Sequence, residues 1–199
     1  MCRMPTVYGA GFVIAGKFDV RLRRDDRPEL IKNIGTLLAS RCAMKSFQLV
    51  GLAIESFSSL FALSDGELLE RNARRVFVET KTGYPCRVSL ADAQIGEELL
   101  LLPFEHQPAS SPYKSSGPIF VRKAAVQAHI EPGVIPDYVR TRLISVRAYD
   151  AQDLMTDATV CAGDEVAAAI QKMFANENIA YIHLHNANRG CFSCLVRRA

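Results

Sequence analysis

Two imidazoles and a phenol fall on one side of a short segment near the end of this chain, YIHLHNANRGC. Tyr181, His183 and His185 alternate with apolar Ile182 and Leu184, and alternate side chains of a strand share a face. One face would carry the polar groups while the other enters a core. His-x-His on a strand leans both rings over one point, a spacing that suits Zn or Fe(II), with His106 or Asp150 as a further ligand. Asn188-Arg189-Gly190 suits a three-residue hairpin loop with Gly in the left-handed position. That register sets Ala187 opposite Cys191 and His185 opposite Ser193, so Cys191 joins the two histidines. A thiol beside an imidazole would make a nucleophile–base pair. A two-residue loop would bring Cys194 to that face instead. Cys191 and Cys194 also form a C-x-x-C, but a strand splays these two thiols to opposite faces, which argues against a redox pair.

A second chemistry comes from the arginines. Arg147 and Tyr149 alternate with Val146 and Ala148, Arg122 ends IFVR, and Arg87 follows Cys86. If these strands neighbour the histidine strand, several guanidinium forks converge with the imidazoles, a surface suited to a carboxylate or phosphate. The alternative is that each Arg pairs locally with Asp150, Asp92 or Glu105. Residues 105–118, EHQPASSPYKSSGP, read as a long polar loop, and Tyr113 within it could close over the pocket. Neither a phosphate-binding GxxxxGK[ST] loop nor a G-x-S-x-G elbow is present.

Such a site needs a scaffold. The chain has 199 residues, 49% hydrophobic and 23% charged, enough for one sizeable core. No apolar run approaches the ~20 residues that span a bilayer. No secretory signal pattern opens the chain, so the six Cys are expected as thiols in the cytoplasm. The net charge of +3 lies in the first segment: residues 1–43 hold eight Lys and Arg against four Asp and Glu, residues 44–199 sixteen against seventeen. The main body therefore offers no electrostatic footprint for nucleic acid or membrane. Residues 1–43 read as an extension, with a helix over 28–40, or as a start that truly lies at Met44. In the main body, Ser64 and Glu67 form a capping box before a helix to about Ala73. RRVFVET, CRVSL, EELLLLPF and IFVR read as strands, and Pro136 starts a short helix. RLISVRAYD and LMTDATV form a hairpin around residues 151–153. Asp164 caps a helix whose Val166, Ala169, Ile170, Met173 and Phe174 share one face. Short turns between strands predict an α+β fold of one domain, a mostly antiparallel sheet packed with two or three helices.

These motifs carry a resemblance. Pro85–Leu90 (PCRVSL), His106, Ser111–Arg122 (SPYKSSGPIFVR), Arg147–Asp150 (RAYD) and the HLHNANRGC run at His183–Cys191 resemble the bacterial family known as the domain of unknown function 1203. The resemblance covers about residues 47–199; Cys194 and the first 43 residues fall outside its pattern. It implies a single-domain bacterial protein and supplies no activity. The functional expectation is a pocket for a small anionic metabolite. His183, His185 and Cys191 are its candidate acid–base or nucleophilic groups, and Arg87, His106, Tyr113, Arg122, Arg147 and Asp150 its candidate binding groups. The alternatives are a metal-dependent enzyme with His183 and His185 as ligands, and a non-enzymatic interaction domain.

Overall fold

The computed structural model describes residues 47–199. By backbone contacts the chain divides into Met1–Ala43 and Met44–Ala199. The helix expected over 28–40 lies outside the described residues.

The described elements in order are β1 (Phe47–Val50), two 3₁₀ turns, α1 (Asp65–Glu70), β2 (Arg74–Phe77), β3 (Pro85–Cys86), β4 (Ala91–Asp92), β5 (Glu98–Gln107) and β6 (Ser115–Arg122). Then come α2 (Asp137–Arg140), β7 (Leu143–Tyr149), β8 (Met155–Ala162), a 3₁₀ turn, α3 (Val166–Phe174), β9 (Tyr181–Asn186) and β10 (Phe192–Arg198). The α+β character and the mostly antiparallel pairing are as expected. The one expected sheet is two: β1-β10-β9-β7-β8 and β2-β5-β6-β3-β4, each of five strands. The β3–β6 pair is parallel. No described helix is long and apolar enough to cross a membrane.

The first core lies under the apolar side of β7, β9 and β10. Ile144, Val146, Ile182, Leu184 and Val196 meet Val166, Ile170 and Phe174 of α3. Full burial of such side chains stabilises by about 1.5–3 kcal/mol each. The second core joins Phe57 and Leu68 to Val88, Leu100, Ile119 and Val121 beside the second sheet.

Several boundaries differ from the sequence reading. The Ser64–Glu67 capping box forms, with Ser64 N donating to Glu67 Oε2 over 2.8 Å, but α1 ends at Glu70. Asp164 sits in a 3₁₀ turn before α3 rather than capping it. Of CRVSL only Cys86 is strand. The Arg87 and Val88 carbonyls instead accept from Leu52 N and Ala128 N over 2.8 Å each, which draws this backbone away from the sheet. The expected loop 105–118 shrinks to 108–114 because both ends zip into the β5–β6 hairpin, where Gln107 faces Ser115 and Pro103 faces Pro118. An opposed proline pair is tolerated where no cross-strand N–H is needed.

The α2 turn and the 3₁₀ turn before α3 meet at Gly163. A Cβ there would lie 2.3 Å from the carbonyl oxygens of both Val139 and Arg140. Gly163→Ala must push this backbone apart, an overpacking that costs about 1–3 kcal/mol. A thermal melt is expected to drop by several degrees; an unchanged midpoint would show that the contact yields freely.

Candidate functional site

β9 does what its alternation demands. Ile182 and Leu184 enter the first core, and Tyr181, His183 and His185 take the other face. β7 runs antiparallel beside it with Tyr149 opposite Tyr181, Arg147 opposite His183 and Ser145 opposite His185. Directly opposed residues share a face, so Arg147 joins the histidines by register alone. Its Nε donates to Ser145 Oγ over 3.2 Å, which leans the guanidinium along β7 toward the His185 row.

On the other side, β10 sets Leu195 opposite His183, in the expected register, but Phe192 opposite His185. A bulge at Ser193 slips the pairing by one residue next to the turn. The slip corrects the expectation for Cys191. Its carbonyl accepts from Asn186 N over 2.9 Å, and its Sγ lies 3.8 Å from Arg189 O at the turn. The Phe192 ring takes the place expected for the thiol, 5.2 Å from the His183 ring and 5.8 Å from that of His185. Cys194 is buried in the first core.

The third imidazole arrives from the second sheet. A break in the β5–β6 register lies between Phe104 and Gln107. The His106 ring stacks on Phe192 at 5.2 Å and stands 5.1 Å from His185 and 6.1 Å from His183. Its Nε2 is 2.9 Å from Ser115 Oγ.

The hydrogen-bond accounting of this cluster is incomplete within the protein. His185 Nδ1 lies 2.9 Å from Gly190 O, and a carbonyl can only accept, so Nδ1 carries the hydrogen. Nε2 is then a bare lone pair, buried and without a partner. His183 Nδ1 is likewise buried and unpartnered, while the His106 ring has Ser115 Oγ and the Phe104 backbone as partners. Most buried polar groups have partners, so His183 Nδ1 and His185 Nε2 are ring nitrogens free to meet a ligand. Burial pushes His183 down to about 3, with His185, His106 and the positive Arg147 adding to it. Burial also holds His185 down to about 4, opposed by the Gly190 carbonyl and helped by Arg147, His106 and Arg87. His106 is lowered too, by burial first and by Arg147, against the Phe104 backbone. All three rings are neutral at pH 7. Arg147 has no carboxylate partner among the described residues.

Aromatic rings wall the cluster on one side. Tyr149 stacks on Tyr181 at 5.2 Å, and the exposed Tyr113 meets Tyr149 edge-on at 6.2 Å. Tyr181 Oη accepts from Gln107 Nε2 over 2.6 Å and donates to Asp153 Oδ1 over 2.7 Å. Burial and that carboxylate hold the phenol well above its ordinary range. An open groove of about 590 Å³ is lined by His106 and His183 of the cluster and by Gln107, Tyr181, Asp153 and Arg197, while Arg147 and His185 do not line it.

His106, His183, His185 and Arg147 are thus brought together, with Tyr113 at the rim. Arg122 is not part of the cluster; it pairs with Glu97 at 2.9 Å. Arg87 is buried behind Phe192 and donates to the Phe192 and Pro85 carbonyls, a structural staple rather than a ligand group. Asp150 Oδ1 closes the β7–β8 turn, accepting from Gln152 N and Leu154 N over 2.9 Å each. Among the described residues no three of His, Cys, Asp and Glu are placed to hold a metal ion. Phe192, Gln107 and Asp153 belong to the site and were not singled out from the sequence, whereas Ser115 lies in the loop expected to close over it. Ser145 was legible in the alternation of ISVRAYD, whereas Phe192 gave no signal because a bulge decides its face.

Residues 83–198, more than half of the chain, match a family model described as a protein of unknown function, DUF1203. No curated protein and no solved structure matches the chain.

Proposed function

We propose that this chain, which belongs to the DUF1203 family, binds a small anionic molecule on the polar face of its first sheet, with Arg147 as the anchor. The observation that carries the reading is a guanidinium without a carboxylate partner among the described residues, set beside three neutral imidazoles, of which His183 and His185 have unpartnered buried nitrogens. A guanidinium only donates, and a planar oxyanion matches its fork. The 590 Å³ groove beside the cluster gives the rest of a small metabolite room, with the exposed Arg197 in its lining. Histidines so far below their usual range are poor acids and bases in the free protein. A bound anion raises an imidazole pKa, so acid–base chemistry by His183 or His185 would begin only in the complex. Among the described residues the metal-dependent alternative finds no group of three protein ligands, and the charge of Arg147 works against a dication. The proposal sets the protein in the bacterial cytoplasm, with the Cys86, Cys161, Cys191 and Cys194 thiols free.

The test is a thermal-shift and calorimetric screen of small carboxylates and phosphates at low ionic strength, on the wild type and Arg147→Ala. Removing one member of a charge-assisted contact costs a factor of ten or more in affinity. We expect a ligand that stabilises the wild type to need at least about tenfold higher concentration in the variant, whose circular dichroism is unchanged. Equal stabilisation of both proteins would overturn the reading.

A further inference from the structure

We infer that the anion selected here carries its own proton donor, as hydrogen phosphate and α-hydroxycarboxylates do, and that oxyanions without a hydroxyl are rejected. The inference rests on the anion reading above and follows from the hydrogen count at His185. Its Nδ1 hydrogen is committed to the Gly190 carbonyl, so Nε2 faces the cluster as an acceptor. The neighbours of that ring are Arg147 and Ser145 from β7, His183 on its own strand, Phe192 from β10, His106 from β5 and the buried Arg87, whose charge also acts on it. No carboxylate stands among them, and none of them donates to it. Arg147 bonds Ser145 in the row of His185 and its charge acts on that ring, so a small molecule that reached both would meet a donor fork on one side and a lone pair on the other. Sulfate or acetate satisfies the fork and sets an oxygen lone pair against Nε2. A ligand hydroxyl satisfies both. Protonation of His185 would remove the distinction, but burial and the Arg147 charge oppose it. Sites built to hydrogen-bond a ligand hydroxyl reject the analogue that lacks it, because a buried polar group is then left unpaired.

Two matched pairs test this on the full-length protein: inorganic phosphate against sulfate, and glycolate against acetate. Each is titrated calorimetrically at pH 7 and constant ionic strength, in two buffers of different ionisation enthalpy. The expected result is that the hydroxyl-bearing member of a pair binds at least about thirtyfold more tightly, without proton uptake. Which pair responds identifies the source of the hydroxyl. His185→Gln, whose amide can turn an N–H to the ligand, is expected to narrow the gap to threefold or less, about the scale of a single neutral hydrogen bond. Equal binding within both pairs, with or without proton uptake, would overturn the inference and leave the anion reading standing. Binding of sulfate or acetate alone would overturn it as well. Failure of all four to bind the wild type would overturn both. If the variant does not fold, the wild-type ratios alone decide.

Discussion

Arg87→Ala should lower the melting midpoint by about 10 °C, the largest loss expected from a single side chain here. The residue is only 2% exposed. Its Nε donates to Phe192 O over 2.7 Å and its Nη1 to Pro85 O. It thereby ties β3 of the second sheet to β10 of the first. Truncation leaves a cavity the size of a long side chain and takes the guanidinium donors from the Phe192 and Pro85 carbonyls. A lost charged hydrogen bond contributes about 1.5–3 kcal/mol and the cavity adds to it, so about 3–5 kcal/mol is the expected total. For a protein of this size 1 kcal/mol moves the midpoint by about 2–4 °C. Scanning calorimetry of the variant beside the wild type measures the effect. A shift under about 2 °C, the equivalent of less than 1 kcal/mol, would mean that the staple is not holding the sheets. A second consequence is functional: Phe192, once its carbonyl is released, no longer fixes the stacked His106 ring, so ligand affinity should fall in any variant that still folds.

The second large effect is on acid stability. In the unfolded chain His183 and His185 titrate near 6.5; in the folded protein they are pushed to about 3 and about 4. Below 6.5 the unfolded state therefore takes up protons that the folded state refuses, and acid favours unfolding. The penalty is absent above about pH 7.5, begins as the pH falls through 6.5 and grows until the folded values are reached. At pH 5 it amounts to about 1–2 kcal/mol per histidine. His106, lowered by burial, acts in the same direction. The carboxylates work in a lower window: Glu98, held down by Lys123 and Arg75, loses its contribution only as the pH falls below 4.5. Urea unfolding at pH 7.5 and pH 5 is expected to show wild-type stability falling by a few kcal/mol, and most of that fall should vanish in a His183→Leu, His185→Leu double variant. A fall of equal size in the variant would show that these two rings are not its source.

Much of this was legible before any coordinates. The alternation in YIHLHN and ISVRAYD assigned Tyr181, His183, His185, Arg147 and Tyr149 to polar faces, because a strand's period of two is a local property of the backbone. The apolar stripe of α3 and the Ser64 capping box were legible for the same reason. Register along most of the last hairpin followed from the Gly at its turn, as His183 opposite Leu195 attests.

What the chain could not disclose locally is which polar faces meet. That β7 lies beside β9 places Arg147 opposite His183, and this is a choice among strand pairings that no short segment encodes. His106 reaches the cluster because a second sheet exists at all. Cys191 leaves it, and Phe192 enters, because one extra residue at Ser193 reverses the faces near the turn. Arg87 and Arg122 look alike in sequence, yet one is buried against carbonyls and the other pairs with Glu97. The sequence by itself determined the chemistry available on each face. The packing of two sheets, a non-local balance of buried area and hydrogen-bond satisfaction, decided which of those groups share one site.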